Sequence, residues 1–162
     1  MKKVGWAKGN HSVGYRAAAP REVKMAILKN FSRPRSIWVE SGTYRGETAR
    51  YLARIGKKVH TIEPSPELFA QAKLADLGSN VVLHQGLSED VMPSVVEGLS
   101  GHVAFWLDGH FSAGETWQGP VDTPILVELS AIASNLHRFR SATIFVDDFR
   151  CFANWGGKEG IR

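Results

Sequence analysis

The sequence predicts a doubly wound α/β fold, a parallel sheet with helices on both faces. Three observations carry that expectation. Five short apolar runs alternate with helix-like stretches, the pattern of successive right-handed strand–helix–strand crossovers. The runs are near-continuous in apolar residues, as strands covered on both faces require. The stretch Ser36 to Thr48, Ser-Ile-Trp-Val-Glu-Ser-Gly-Thr-Tyr-Arg-Gly-Glu-Thr, passes from a strand through two glycines into a helix.

The elements follow in order. Residues 1–19 lack a clear period and read as an N-terminal arm. Pro20 suits the first position of a helix, whose apolar residues Val23, Met25, Ala26, Ile27 and Leu28 run on to about Phe31. Pro34 ends it, and the first strand opens at Ile37 and closes on Glu40. Gly42 permits a sharp turn, and Gly46 permits a close helix start before Thr48 to Ile55. A second strand, Val59 to Ile62, closes on Glu63, and Ser65-Pro66 then caps and opens a helix reaching about Leu77. Asn80 to Leu83 is the third strand, closed by Gln85-Gly86, and Pro93 interrupts the helical stretch Glu89 to Val96. The fourth strand, Val103 to Leu107, closes on Asp108. After a polar loop, Gly109 to Asp122, Pro124 opens a helix with Ile125, Leu126, Leu129, Ile132 and Leu136 on one side. The fifth strand, Ala142 to Val146, closes on Asp147-Asp148, and residues 149–162 form a tail.

A length of 162 residues fits a single domain spanning 1–162 with room for a core, and 43% hydrophobic with 22% charged residues is ordinary for a soluble chain. The net charge of +4, from 20 basic and 16 acidic residues spread along the chain, gives no basic face for a nucleic acid. A lone cysteine, Cys151, forbids an internal disulfide and fits a reducing compartment. No segment reads as a signal peptide or membrane span, so the expected location is the cytoplasm, with no membrane partner.

Function is read from the strand ends. In an open parallel sheet a ligand binds beyond the carboxyl ends of the strands, where the strand order reverses. Glu40, Glu63, Asp108 and Asp147-Asp148 all fall there. Like charges gathered in one place repel, and a cation or a multi-hydroxyl ligand would relieve them. The glycine turn offers backbone N–H groups and a helix N-terminus, although a plain strand–helix turn looks the same. Glu63 lies about twenty residues beyond Gly42, the place of an acid that accepts ribose hydroxyls; its plainer reading is a charge at a helix N-terminus. The loop is neither G-x-G-x-x-G nor a phosphate-binding Gly-Lys-Ser/Thr loop.

Glu-Ser-Gly-Thr-Tyr-Arg-Gly-Glu-Thr, then Thr-Ile-Glu-Pro-Ser-Pro-Glu-Leu, then Gly-Leu-Ser-Glu-Asp-Val-Met-Pro resemble the class I S-adenosylmethionine-dependent methyltransferases. The resemblance covers about Ile37 to Phe149 in five blocks. Its nearest branch is the small metal-dependent O-methyltransferases, similar to the catechol and macrolide-sugar enzymes. The stretch Phe105-Trp-Leu-Asp-Gly-His-Phe-Ser with Asp122-Thr-Pro also resembles bacterial methyltransferase-like proteins of unassigned substrate.

The resemblance implies a Rossmann-like sheet in the order 3-2-1-4-5. It implies S-adenosylmethionine as cofactor, with Glu40, Gly42, Tyr44 and Gly46 lining its methionine end, Glu63 on the ribose, and Ser88 and Glu89 beside the adenine. It places Asp108, Asp147 and Asp148 as ligands of a divalent metal, for which an all-oxygen set suits Mg²⁺. Asp108 also belongs to the catalytic and the cofactor-binding sets, and the expected acceptor is a hydroxyl of a small molecule. The plainer reading of the aspartate pair is that one caps a helix or pairs with Arg150 while the other faces solvent.

Two departures from the pattern stand out. The catechol enzymes carry a lysine base after the metal aspartate, where this loop reads Gly109-His110-Phe111-Ser112. His110 is the candidate base, or a solvated loop histidine. The family's C-terminal β6–β7 hairpin is missing, because only 14 residues follow Asp148. Either the chain is a fragment, or a partner copy in a homo-oligomer covers the exposed sheet edge. A non-catalytic cofactor-binding domain and a metal-dependent hydrolase stay open as alternative functions.

Overall fold

The computed structural model describes residues 19–108 and 124–147. His110, Asp148, most of the expected arm and the whole tail lie outside the described residues. The described strands are β1 (Ile37–Ser41), β2 (Lys58–Glu63), β3 (Val81–Gln85), β4 (Gly101–Leu107) and β5 (Phe139–Val146). They form one parallel sheet in the order β3-β2-β1-β4-β5. The expected fold class and strand order are both observed.

From β1 the chain steps outward to β2 and β3, then crosses back to β4 and β5. Right-handed crossovers therefore put α2 (Glu47–Ile55) and α3 (Pro66–Leu74) on one face, and α4 (Ser88–Glu97) and α5 (Ile125–Asn135) on the other. Helix α1 (Arg21–Phe31) joins the α2 face, because Met25 and Leu28 pack with Leu52 against Trp38 and Trp106. Trp38 also stacks on Phe145 of β5, with ring centroids 5.8 Å apart. The opposite core is built from Val39, Ile62, Phe105 and Leu107 of the sheet under Met92, Val96, Ile125 and Ile132 of the helices. No described helix is long and apolar enough to cross a membrane.

Several boundaries differ from the sequence reading. Pro20 is the residue before α1 rather than its first position. Helix α3 stops at Leu74 instead of reaching Leu77, because Ala75 is extended. That turn leaves Leu74 exposed and brings Leu77 into the core. Pro93 does not interrupt α4, which runs through it from Ser88 to Glu97. The proline deprives the Glu89 carbonyl of its donor, and the burial of Met92, Val95 and Val96 offsets that loss. The inward face of α5 is Ile125, Glu128 and Ile132, while Leu126 and Leu136 are about half exposed. Its sequence, Ile-Leu-Val-Glu-Leu-Ser-Ala-Ile, is apolar almost all round, so periodicity alone cannot choose a face.

Across β2 and β3, His60 Nδ1 lies 3.0 Å from His84 Nε2, with the ring planes only 17° apart. One ring must donate and the other accept, so the contact suits neutral imidazoles. Burial pushes the His60 pKa from 6.5 to about 4, helped by the nearby charges of His84 and Lys58. His84 is also lowered, first by burial. An unfolded chain therefore takes up protons here before the folded one does. The stability this pair contributes is complete above about pH 6.5 and is lost as pH falls toward 4. Melting temperature is expected to fall across that window in the parent and to fall much less in a His60→Leu, His84→Leu double variant.

Candidate functional site

The site is built at the reversal of strand order between β1 and β4, where an open parallel sheet leaves a crevice. Alternation along β1 sends Trp38 and Glu40 to the α1–α2 face, and Val39 and Ser41 to the α4–α5 face. Glu40 is fully buried. Its Oε2 accepts a 2.6 Å hydrogen bond from Thr61 Oγ1, and Thr43 Oγ1 lies 2.6 Å from the same hydroxyl. Glu40 Oε1 has no hydrogen-bond partner among the described residues. Burial raises the Glu40 pKa from 4.5 to about 8, against the Thr61 bond, and the charges of Asp108 and Glu63 push the same way.

The glycine loop adjoins this carboxyl through Thr43 and Thr61. The Gly42 and Thr43 N–H groups donate to the Ile62 carbonyl at 3.0 and 3.1 Å, which ties the loop to the end of β2. Gly42 has φ 85° and Tyr44 has φ 49°, both in the left-handed region. For tyrosine that conformation is strained by about 1–3 kcal/mol, and it aims the Tyr44 N–H at Glu63 Oε2, 2.7 Å away. The other oxygen of Glu63 accepts from the Ser65 N–H at 3.0 Å. Glu63 is buried, and burial raises its pKa against these two bonds. It therefore anchors the glycine loop and the turn into α3 at once. Gly46 (φ 73°) serves packing as well, since a Cβ there would meet Leu77 Cδ2 at 2.4 Å.

A cavity of about 360 Å³ opens between this loop, the first turn of α1 and the ends of β4 and β5. Gly42, Tyr44, Asp108 and Asp147, all expected site residues, line it, as do Lys24 and Trp106. Glu40 and Glu63 lie beside the loop without lining the cavity. Ser88 and Glu89 sit on the other face, where Ser88 is buried and Glu89 lies near Glu128. Glu128 is itself buried, which raises its pKa. The Ser88 and Ser41 hydroxyls oppose that rise, although Ser41 stops short of hydrogen-bonding geometry.

The residues present fit the two expected ligands unequally. An ammonium or other donor group suits the unpartnered Glu40 Oε1, and a pair of hydroxyls suits the remaining lone pairs of Glu63. A divalent metal would have to share Asp147 with an ammonium. Asp147 Oδ2 accepts from Lys24 Nζ, so an ammonium already holds one of the expected ligands. Asp148, the third expected metal ligand, lies outside the described residues. Sequence reasoning missed Lys24, Thr43, Thr61, Trp106 and Glu128. The Thr43–Thr61–Glu40 chain has a signal in hindsight, a hydroxyl facing an acid in register on the next strand, since Glu40 pairs with Thr61.

No protein-family model matches the chain, and no curated protein matches it. Solved structures do. A Streptococcus mutans protein assigned as a methyltransferase, in complex with S-adenosylhomocysteine, is similar with a TM-score of 0.52 at 17% identity, over 88% of this chain and 85% of its own. A Clostridium thermocellum protein assigned as an rRNA methylase gives a TM-score of 0.54 at 15% identity, over 76% of this chain and 68% of its own. The 23S rRNA methyltransferase ErmE gives 0.51 at 19% identity, over 80% of this chain and 47% of its own. With the observed strand order, these likenesses show that the chain has the Rossmann-like fold of the class I S-adenosylmethionine-dependent methyltransferases.

Proposed function

We propose that the protein is an S-adenosylmethionine-dependent methyltransferase acting on a hydroxyl of a small molecule. One observation carries the cofactor half of this reading. A fully buried carboxyl, Glu40, keeps one oxygen without a partner among the described residues, beside a strained glycine loop at the switch point. Glu128 Oε1 is likewise buried without a partner among the described residues, on the α4–α5 face, whereas Glu40 stands beside the glycine loop. The cofactor's α-ammonium is the complement of that oxygen, and Glu63 is the acid for the ribose hydroxyls. When bound, the cofactor supplies an activated methyl group. The residues of this chain orient it and keep water from the carboxyls beneath it.

The acceptor half rests on the cavity. Its volume of about 360 Å³, with Tyr44, Trp106 and Met25 among the lining residues, suits a small and partly apolar acceptor. A divalent metal is not carried into this proposal, because Lys24 already engages Asp147.

Calorimetric titration with S-adenosylhomocysteine tests the reading, and two outcomes are expected. Glu63→Ala should bind it about tenfold to a hundredfold more weakly, the worth of charge-assisted hydrogen bonds. The same variant should also melt lower, because the Tyr44 and Ser65 N–H groups lose their acceptor. Undiminished affinity in Glu63→Ala would remove the ribose assignment.

The second outcome is proton release. With a folded pKa of about 8 against 4.5 unfolded, Glu40 is protonated at neutral pH in the absence of cofactor, and its contribution to stability fades as pH rises through that window. An ammonium placed against it favours the charged form. Binding should therefore release a proton near pH 7 and tighten as pH rises toward 8. Titrations in buffers of different ionisation enthalpy measure the release directly, and Glu40→Gln should abolish it. Binding without proton release in the parent would put the ammonium elsewhere.

A further inference from the structure

We propose that Lys24 is the acceptor-side cation of this site, holding an acidic hydroxyl of the acceptor as its oxyanion, its proton lost to solvent, in the place a divalent metal would take. The inference rests on the methyltransferase reading and adds to it the means of acceptor recognition.

Lys24 comes from the first turns of α1, yet it reaches the end of β5, 123 residues away in sequence, to donate to Asp147. The contact is sheltered, with the two side chains 21% and 10% exposed. The helix is anchored at the next residue, Met25. Met25 is buried in the core, and the Tyr51 hydroxyl donates to the Met25 carbonyl at 2.9 Å. Lys24 Nζ also stands 6.0 Å from the ring centroid of Trp106, within range of a cation–π attraction. Lys24, Trp106, Asp108 and Asp147 all line the one cavity.

An ammonium carries three N–H donors, and Asp147 takes one, so the group can hold a ligand oxygen without releasing its carboxylate. A metal at Asp147 would either displace the ammonium or stand beside it. Two like charges so close repel strongly near a protein surface, and a divalent ion repels more strongly still. The lysine supplies the same service more simply, a fixed positive charge against which an oxygen anion is stabilised. The indole of Trp106 and the phenol of Tyr44 give a planar acceptor a surface to lie on.

The test uses 4-nitrophenol, whose anion absorbs separately from its neutral form, with the protein saturated in S-adenosylhomocysteine. The parent is expected to bind the anion and to shift the phenol toward ionisation. Lys24→Met should bind it at least about tenfold more weakly, and Lys24→Arg should recover most of the affinity. A Lys24→Met, Asp147→Asn double variant serves if the single change fails to fold through an unpaired buried carboxylate. Millimolar Mg²⁺ or Mn²⁺ should leave the melting temperature of the parent unchanged. Equal binding of the anion by parent and Lys24→Met, no binding by either, or a metal-dependent rise in melting temperature would each overturn the proposal. Calorimetry with S-adenosylhomocysteine on the same samples separates this failure from that of the methyltransferase reading, which stands or falls on cofactor binding alone.

Discussion

Burying a carboxyl at the point where a parallel sheet changes direction is a costly choice, and the arrangement around Glu40 is organised by it. Each pKa unit is worth about 1.4 kcal/mol, so holding this group charged without a cation is several kcal/mol uphill from its exposed state. The protein meets part of that demand with a file of hydroxyls. Thr61 donates to Glu40, and Thr43 lies in hydrogen-bonding reach of Thr61. Because Thr43 belongs to the glycine loop and Thr61 to β2, this file also fixes where the loop sits. The remaining oxygen, Oε1, has no hydrogen-bond partner among the described residues.

The surrounding acids share the same logic at different depths. Glu63 has its carboxyl oxygens on two backbone N–H groups, so it both shapes the loop and keeps capacity for further donors. Asp147 is matched by Lys24, which draws α1 over the ends of β4 and β5. One end of the sheet thus carries a graded set of acids. One is nearly unmatched and deep, one serves the backbone, and one is tied to a lysine. In the proposed function the gradient separates a cofactor side, toward β2, from an acceptor side, toward β5. That division follows from the strand order alone, since Glu63 ends β2 and Asp147 follows β5.

Much of this was legible in the sequence. Near-continuous apolar runs announced the strands, and the two glycines announced a turn that only left-handed backbone can make. The acids at the strand ends were visible because nothing in a plain sheet needs them. What was hidden depended on contacts between distant segments. No local pattern pairs Lys24 with Asp147, and none indicates that Glu128 would turn into the core of α5 while Leu126 turned out. Helix ends were misjudged where the next residue had a task elsewhere, as when Leu77 left α3 to pack against Gly46. The proline in α4 misled because propensity is a local quantity, and burial of Met92 and Val96 overrode it.

The central claim is that the unmatched oxygen of Glu40 is reserved for the cationic end of the cofactor. A crystal structure of the protein with S-adenosylhomocysteine tests it most directly. The account predicts the ligand's ammonium within hydrogen-bonding distance of Glu40 Oε1, with its ribose hydroxyls on Glu63. A complex in which Glu40 Oε1 still lacks a partner, with the ammonium held elsewhere, would contradict it.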